Sequence, residues 1–276
     1  MGEMLLGPTG PRSVACGWRS DADVCDAPRA MKAIVLGASR GIGRAVARRL
    51  AERGDQVFVL GIDEVDLQKS AADIEQRGGG KNKVGYAECD LEKPETFDGA
   101  IDAADAALGG FDTVVVTAAL FGTQDRLEAD RNFARRLLTV NFANTVVFCE
   151  AVRERLLERG GGTLCVISSV AGDRGRKPVI LYGASKAGLS AYLEGLDHKF
   201  RAQGLRTITI KPGFVKTSMT EGLKPPPFAG EPDGVARDIV AAIDGGVPVR
   251  YTPRMWQLVM LVIRFLPRLV MRKINF

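Results

Sequence analysis

From residue 31 onward, short continuous apolar runs alternate with longer stretches in which apolar residues recur every three or four positions. The runs at 33–36, 57–60, 84–89, 113–117, 163–168 and 206–210 read as buried strands. Between them, 42–53, 67–77, 94–108, 130–159 and 182–203 read as helices. Strand and helix taking turns imply βαβ units, and so an α/β fold: a single-domain, doubly wound parallel sheet with helices on both faces. In such a sheet a ligand sits beyond the strand C-termini, near the point where strand order reverses. Residues 1–30 lack apolar periodicity and are rich in Gly, Pro and small polar residues. They read as a disordered extension, with Met31 as the functional beginning; 31–253 read as the catalytic domain and 254–276 as a basic amphipathic tail.

A chain of 276 residues, 46% of them hydrophobic, can bury a full core. Its net charge of +5 is local. Residues 245–276 hold six basic side chains and no acidic one, leaving 32 basic (38 less those six) against 33 acidic elsewhere. The basicity therefore says nothing of a nucleic-acid groove on the body. Five scattered cysteines without CxxC spacing argue against zinc, any other metal centre or a disulfide framework, and fit a reducing cytoplasm. The single histidine, His198, lies in a polar stretch and reads as a surface residue; alone, it makes a Ser-His-Asp hydrolase a poor fit.

The first strand runs straight into Gly37-Ala38-Ser39-Arg40-Gly41-Ile42-Gly43, where a helix begins. Glycines there permit a tight turn and let a phosphate approach the backbone N–H groups of a helix N-terminus. The second strand should end near an adenosine ribose, at Gly61-Ile62-Asp63. An acid there favours NAD and an arginine favours the extra phosphate of NADP. Asp63 points one way and Arg40, within the turn, the other; the balance favours NADP(H) over NAD(H).

Tyr182 and Lys186 stand four residues apart, on one face of a helix. A neighbouring ammonium lowers a phenol's pKa and suits it to proton transfer on an alcohol or carbonyl. With Ser169 thirteen residues before the tyrosine, Asn141 in the long middle helix and the glycine turn, the chain resembles the short-chain dehydrogenase/reductase family over about residues 31–253. Its Rossmann-like fold is what the resemblance implies. Pro212-Gly213-Phe214-Val215-Lys216-Thr217 matches the family's cofactor-contacting turn, and Asp90, followed by Leu91, matches the residue near the adenine. Where the family carries Asn-Asn-Ala-Gly after strand four, this chain reads Val116-Thr117-Ala118-Ala119, so the asparagine bracing of the sheet is expected to be lost, although Thr117 still offers a hydroxyl.

By resemblance, Ser169 would bind the substrate oxygen and Tyr182 would exchange its proton. Lys186 would lower the tyrosine pKa and hold the nicotinamide ribose, and Asn141 would anchor a water that leads protons away. Gly37, Ser39, Arg40, Gly41, Ile42 and Gly43, with Asp63, would hold the adenosine and phosphate end. Asp90, Leu91, Thr117 and Ala118 would line the middle, and Pro212, Gly213, Val215 and Thr217 the nicotinamide. Assembly as a homodimer or homotetramer is implied as well.

Residues 220–228, stiffened by three prolines, read as either a substrate lid or a rigid surface loop. The tail has an apolar run, 258–263, far short of the ~20 residues that span a bilayer. With Trp256, flanking arginines and no acids, it suits a helix lying in the membrane interface, or else one packing on the subunit or a neighbour. With this tail the chain is similar to bacterial reductases of decaprenylphosphoryl-2-keto-ribose, a keto-sugar carried on a polyprenyl phosphate. The leading expectation is an NAD(P)(H)-dependent ketone/alcohol oxidoreductase acting on a hydrophobic or lipid-linked substrate, cytoplasmic or peripheral on the inner membrane. The others are reduction of a soluble ketone or 3-oxoacyl thioester, and a non-catalytic dinucleotide-binding regulator.

Overall fold

The computed structural model describes residues 30–274; the expected N-terminal extension lies outside them, save residue 30. Seven strands form one parallel sheet: β1 (Lys32–Leu36), β2 (Gln56–Gly61), β3 (Gly85–Glu88), β4 (Thr113–Val116), β5 (Gly162–Ile167), β6 (Leu205–Pro212) and β7 (Val249–Thr252). Their order is β3-β2-β1-β4-β5-β6-β7, so strand order reverses between β1 and β4. The helices are α1 (Gly41–Arg53), α2 (Glu64–Arg77), α3 (Phe97–Leu108), α4 (Gln124–Ala129), α5 (Arg131–Leu138), α6 (Thr145–Glu158), α7 (Ile180–Phe200), α8 (Pro232–Asp244), α9 (Met255–Phe265) and α10 (Arg268–Met271).

Side chains alternate across a strand, so each inner strand feeds two cores. Ile34 and Leu36 of β1 face one, with Phe97, Phe148 and Leu189. Ala33 and Val35 face the other, with Val46, Leu50 and Ile239. Burial on both faces is why these strands read as unbroken apolar runs. The seventh strand escaped the pattern. Val249-Arg250-Tyr251-Thr252 is a short edge strand, only its last residue buried, and it carries no apolar run.

The helix expected over 130–159 is two helices joined by a π-helical turn, Thr139–Asn144. Thr145 Oγ1 donates to the carbonyl of Val140 at 2.7 Å within that widened turn. The stretch expected as helix 94–108 opens as a 3₁₀ turn, Pro94–Thr96, before α3, and strand 84–89 shortens to Gly85–Glu88. Beyond β5 the chain is fastened to the far sheet edge. The Asp173 carboxylate, almost wholly buried, accepts from Lys211 Nζ of β6 (2.6 Å) and from the Tyr251 hydroxyl of β7 (2.7 Å).

Candidate active site

A cavity of about 1120 Å³ opens along the C-terminal edge of the sheet, over the reversal point. At one end lies the glycine turn. Gly37 adopts φ +89°, and a Cβ there would fall 2.6 Å from Thr117 Oγ1 and 2.7 Å from the Ala118 nitrogen, so the turn closes only around glycine. A Cβ on Gly43 would collide with the Gly37 carbonyl. The α1 N-terminus has no side-chain cap and no acid in its first turn, which leaves its N–H groups for an anion. This cradle fits a dinucleotide pyrophosphate.

The bracing expected to be lost is supplied by Thr117. Its hydroxyl donates to the Leu36 carbonyl at 2.8 Å and lies 3.2 Å from that of Gly37, while its N–H reaches Leu36. One short side chain thus ties the end of β4 to the end of β1.

Of the residues expected to hold a cofactor, all but one line this cavity. Asp63 does not. Its carboxylate caps α2 by accepting from the Asp66 N–H at 2.8 Å, because an aspartate preceding a helix satisfies an otherwise orphaned donor. Arg40 does line the cavity, largely in solvent and ion-paired with Asp66. Ile62, largely exposed, completes that rim.

At the other end, Ser169 follows β5, while Tyr182 and Lys186 lie on α7. Ser169 Oγ accepts from the Ala171 N–H at 3.1 Å. Burial pushes the Tyr182 phenol up to about 12, against a hydrogen bond with Ser169 that pulls it down. Lys186 is 2% exposed, donates to the Ile167 carbonyl at 3.0 Å, and is itself pushed down to about 8 by burial. The expected lowering of the tyrosine pKa by lysine is therefore absent here. The ammonium stands 6.0 Å from the phenol ring, anchored to a strand carbonyl, and desolvation governs both groups. What the site holds is a protonated phenol beside a serine hydroxyl.

Asn141 is fully buried and off the cavity wall. Its amide forms a closed pair with Leu120, accepting from the N–H and donating to the carbonyl, both at 2.7 Å. That pairing uses one of the amide's two N–H donors and one oxygen lone pair, leaving the others for the expected water. It also fixes the loop after β4 that carries Phe121, whose ring meets that of Tyr182 edge-on at 5.1 Å.

Several wall residues were not among those expected at the site. Trp256 of α9 lies so close over Gly213 that no Cβ fits between them, and its indole N–H donates to the carbonyl of Phe228 (3.4 Å). Arg176 and Lys177 enter the wall from the β5–α7 connection. His198 is exposed, and Cys89, Cys149 and Cys165 are buried thiols. Among the described residues no three His, Cys, Asp or Glu side chains gather as a metal site.

Residues 31–227 match the family model for the short chain dehydrogenase. The chain belongs to that family. It is 33% identical over 267 residues to an uncharacterized oxidoreductase of Streptomyces coelicolor, covering 91% of this chain and 98% of that one. It is 30% identical over 191 residues to a 3-oxoacyl-[acyl-carrier-protein] reductase of Chlamydia muridarum, covering 69% and 76%. A crystal structure of actinorhodin polyketide ketoreductase with NADPH shares the fold at a TM-score of 0.72 and 22% identity, over 81% of this chain and 97% of that one. The protein is an NAD(P)-dependent dehydrogenase/reductase.

Proposed function

We propose that this reductase interconverts a ketone and a secondary alcohol with Tyr182 as general acid, on a hydrophobic or lipid-linked substrate. The meeting of Ser169, Tyr182 and Lys186 at one cavity wall carries the reading. When bound, the nicotinamide supplies the hydride. Ser169 hydrogen-bonds the carbonyl oxygen, and the phenol, kept protonated by its burial, donates to that oxygen as charge builds on it. Lys186 restores the phenol's proton, and Asn141 positions the wall through Leu120.

The cofactor is NADP(H). What supports this is that the acid that would favour NAD(H), Asp63, is engaged as a helix cap off the cavity, whereas Arg40, although paired with Asp66, lines the cavity at the glycine turn. A keto-sugar on a polyprenyl phosphate is the substrate that best unites a keto-reducing site with the exposed apolar face of α9 (Leu258, Leu261, Val262 and Phe265) beside residues 220–228, read as a lid with Leu223 and Phe228. That face would rest on the cytoplasmic side of the membrane, with the protein as a homodimer or homotetramer. The 3-oxoacyl reductase relative favours a second reading, reduction of a soluble ketone or thioester. Screening polyprenyl-linked and soluble ketones with NADPH separates the two. Tyr182→Phe should lower turnover by ~10²–10⁴-fold, the contribution of a general acid, and leave NADPH binding within twofold or so of wild type. Full activity in that variant would remove Tyr182 from the chemistry.

A further inference from the structure

A second cavity of about 440 Å³ lies beside the first. Arg174, Arg176 and Lys177 line it from the β5–α7 connection, and Arg268 and Arg272 from α10 and the turn after it. Among the described residues no carboxylate lines it; Ile180, Met271 and Ile274 supply its apolar wall. Arg176 and Lys177 line both cavities, so the two share a partition. Arg174 is steadied by donating to the Leu266 carbonyl at 2.9 Å. The neighbouring acid on this loop, Asp173, is engaged by Lys211 and Tyr251. Among the described residues, Arg174, Lys177, Arg268 and Arg272 have no ion-pair partner. Burial holds the Arg176 guanidinium below its ordinary value, with Asp173 pulling the other way.

Four guanidiniums and an ammonium converging on a space of this size match the oxygens of a phosphate, which arginine forks bind in pairs. We propose that this second cavity is a phosphate-ester site, and that the substrate whose carbonyl faces Tyr182 carries the phosphate. The second part rests on the reductase reading above. Ile180 lines the phosphate cavity and Tyr182 the active site, two residues on along α7, so the two face different sides of one helix. Their separation is on the order of a helix diameter, ~10 Å. A substrate that reaches both is an extended phosphorylated ketone with carbonyl and phosphate at opposite ends, which keeps the reductase chemistry proposed above but replaces the 2-keto-sugar, whose ketone and phosphate sit on neighbouring carbons. An anionic lipid headgroup offers the same chemistry.

The test uses full-length protein saturated with NADPH, so that the glycine turn is filled. Calorimetry with geranyl phosphate and with geraniol should show the ester binding tighter by about tenfold or more, the worth of a charge-assisted pair. Arg268→Gln/Arg272→Gln should erase that difference. Lys273→Gln, which removes a charge outside the cavity, should leave it intact. Co-sedimentation with phosphatidylcholine vesicles, with and without phosphatidylglycerol, assigns the source. Arginine-dependent binding of geranyl phosphate in water supports a substrate phosphate. Arginine-dependent binding to anionic vesicles alone keeps the phosphate site and overturns its assignment to the substrate. Indifference of both ligands to the double substitution overturns the site. NADPH oxidation with a neutral ketone should be unchanged in the double variant; a wild type that binds the ester yet reduces no ketone defeats the reductase reading and leaves the site standing.

Discussion

At Lys186 burial and function oppose each other. Its ammonium donates to the Ile167 carbonyl, and desolvation brings its pKa from 10.5 down to about 8. Below about 8 the group is charged in folded and unfolded chains alike, and burial costs stability in full. Between about 8 and 10.5 only the unfolded chain keeps the proton, so this residue's contribution makes the fold more stable as pH rises. Activity should move the other way. Proton restoration to Tyr182 needs the ammonium, while the phenol, at about 12, stays protonated throughout. The kcat/KM for ketone reduction should therefore fall as pH climbs through about 8, and Lys186→Arg, which keeps its charge, should lose that fall even at a reduced rate. A wild-type profile flat from pH ~7 to ~10 would sink the assignment. The spacing of Tyr182 and Lys186 was legible in sequence because helix geometry alone brings them to one face. The direction of their pKa shifts was not, because burial is made by Phe121, Ser169 and β5, which are distant in sequence or on other elements.

The π-helical turn explains why the middle helix was only partly readable. Apolar periodicity continues across 130–159, and nothing in it announces the inserted residue. Its purpose becomes visible only when Asn141 is seen paired with Leu120 from the loop after β4. Asn141→Ala would strand a buried N–H and a carbonyl. The expected loss is ~2 kcal/mol of stability, near the desolvation penalty of such groups, with a larger fall in kcat than in NADPH affinity, because the loop bearing Phe121 faces Tyr182. Thermal melts and steady-state kinetics check both; an unchanged melting temperature would show that Leu120 finds another partner. The inner strands were legible for the reason β7 was not: burial on two faces writes a continuous apolar run, and an edge strand with an arginine in it does not. Thr117 shows the same limit for a motif. A departure from the family's asparagines predicted lost bracing, yet a hydroxyl at that strand end reaches the carbonyls of Leu36 and Gly37.

Across the whole molecule, the tail is apolar on two sides. Met260 and Ile263 of α9 are buried against Val170, which fixes the helix to the body. Leu261, Val262 and Phe265 point out, at 57%, 63% and 77% exposure, and Leu269 follows at 70%. No helix among the described residues is long and apolar enough to cross a membrane, so contact with a bilayer would be along this face, helped by the surrounding arginines at ~1 kcal/mol each near an anionic surface. Ending the chain at Arg250 is a poor test, because it removes half of β7 and the anchoring pair Met260 and Ile263. Leu261→Gln/Phe265→Gln leaves those contacts alone. Burying a Leu or Phe side chain is worth ~1.5–3 kcal/mol, so partitioning onto phosphatidylglycerol vesicles should drop by roughly tenfold or more in the double variant, with an unchanged melting temperature. If partitioning is instead equal, and the variant sediments as a smaller species than wild type, the face covers a second copy of the chain and the membrane reading falls.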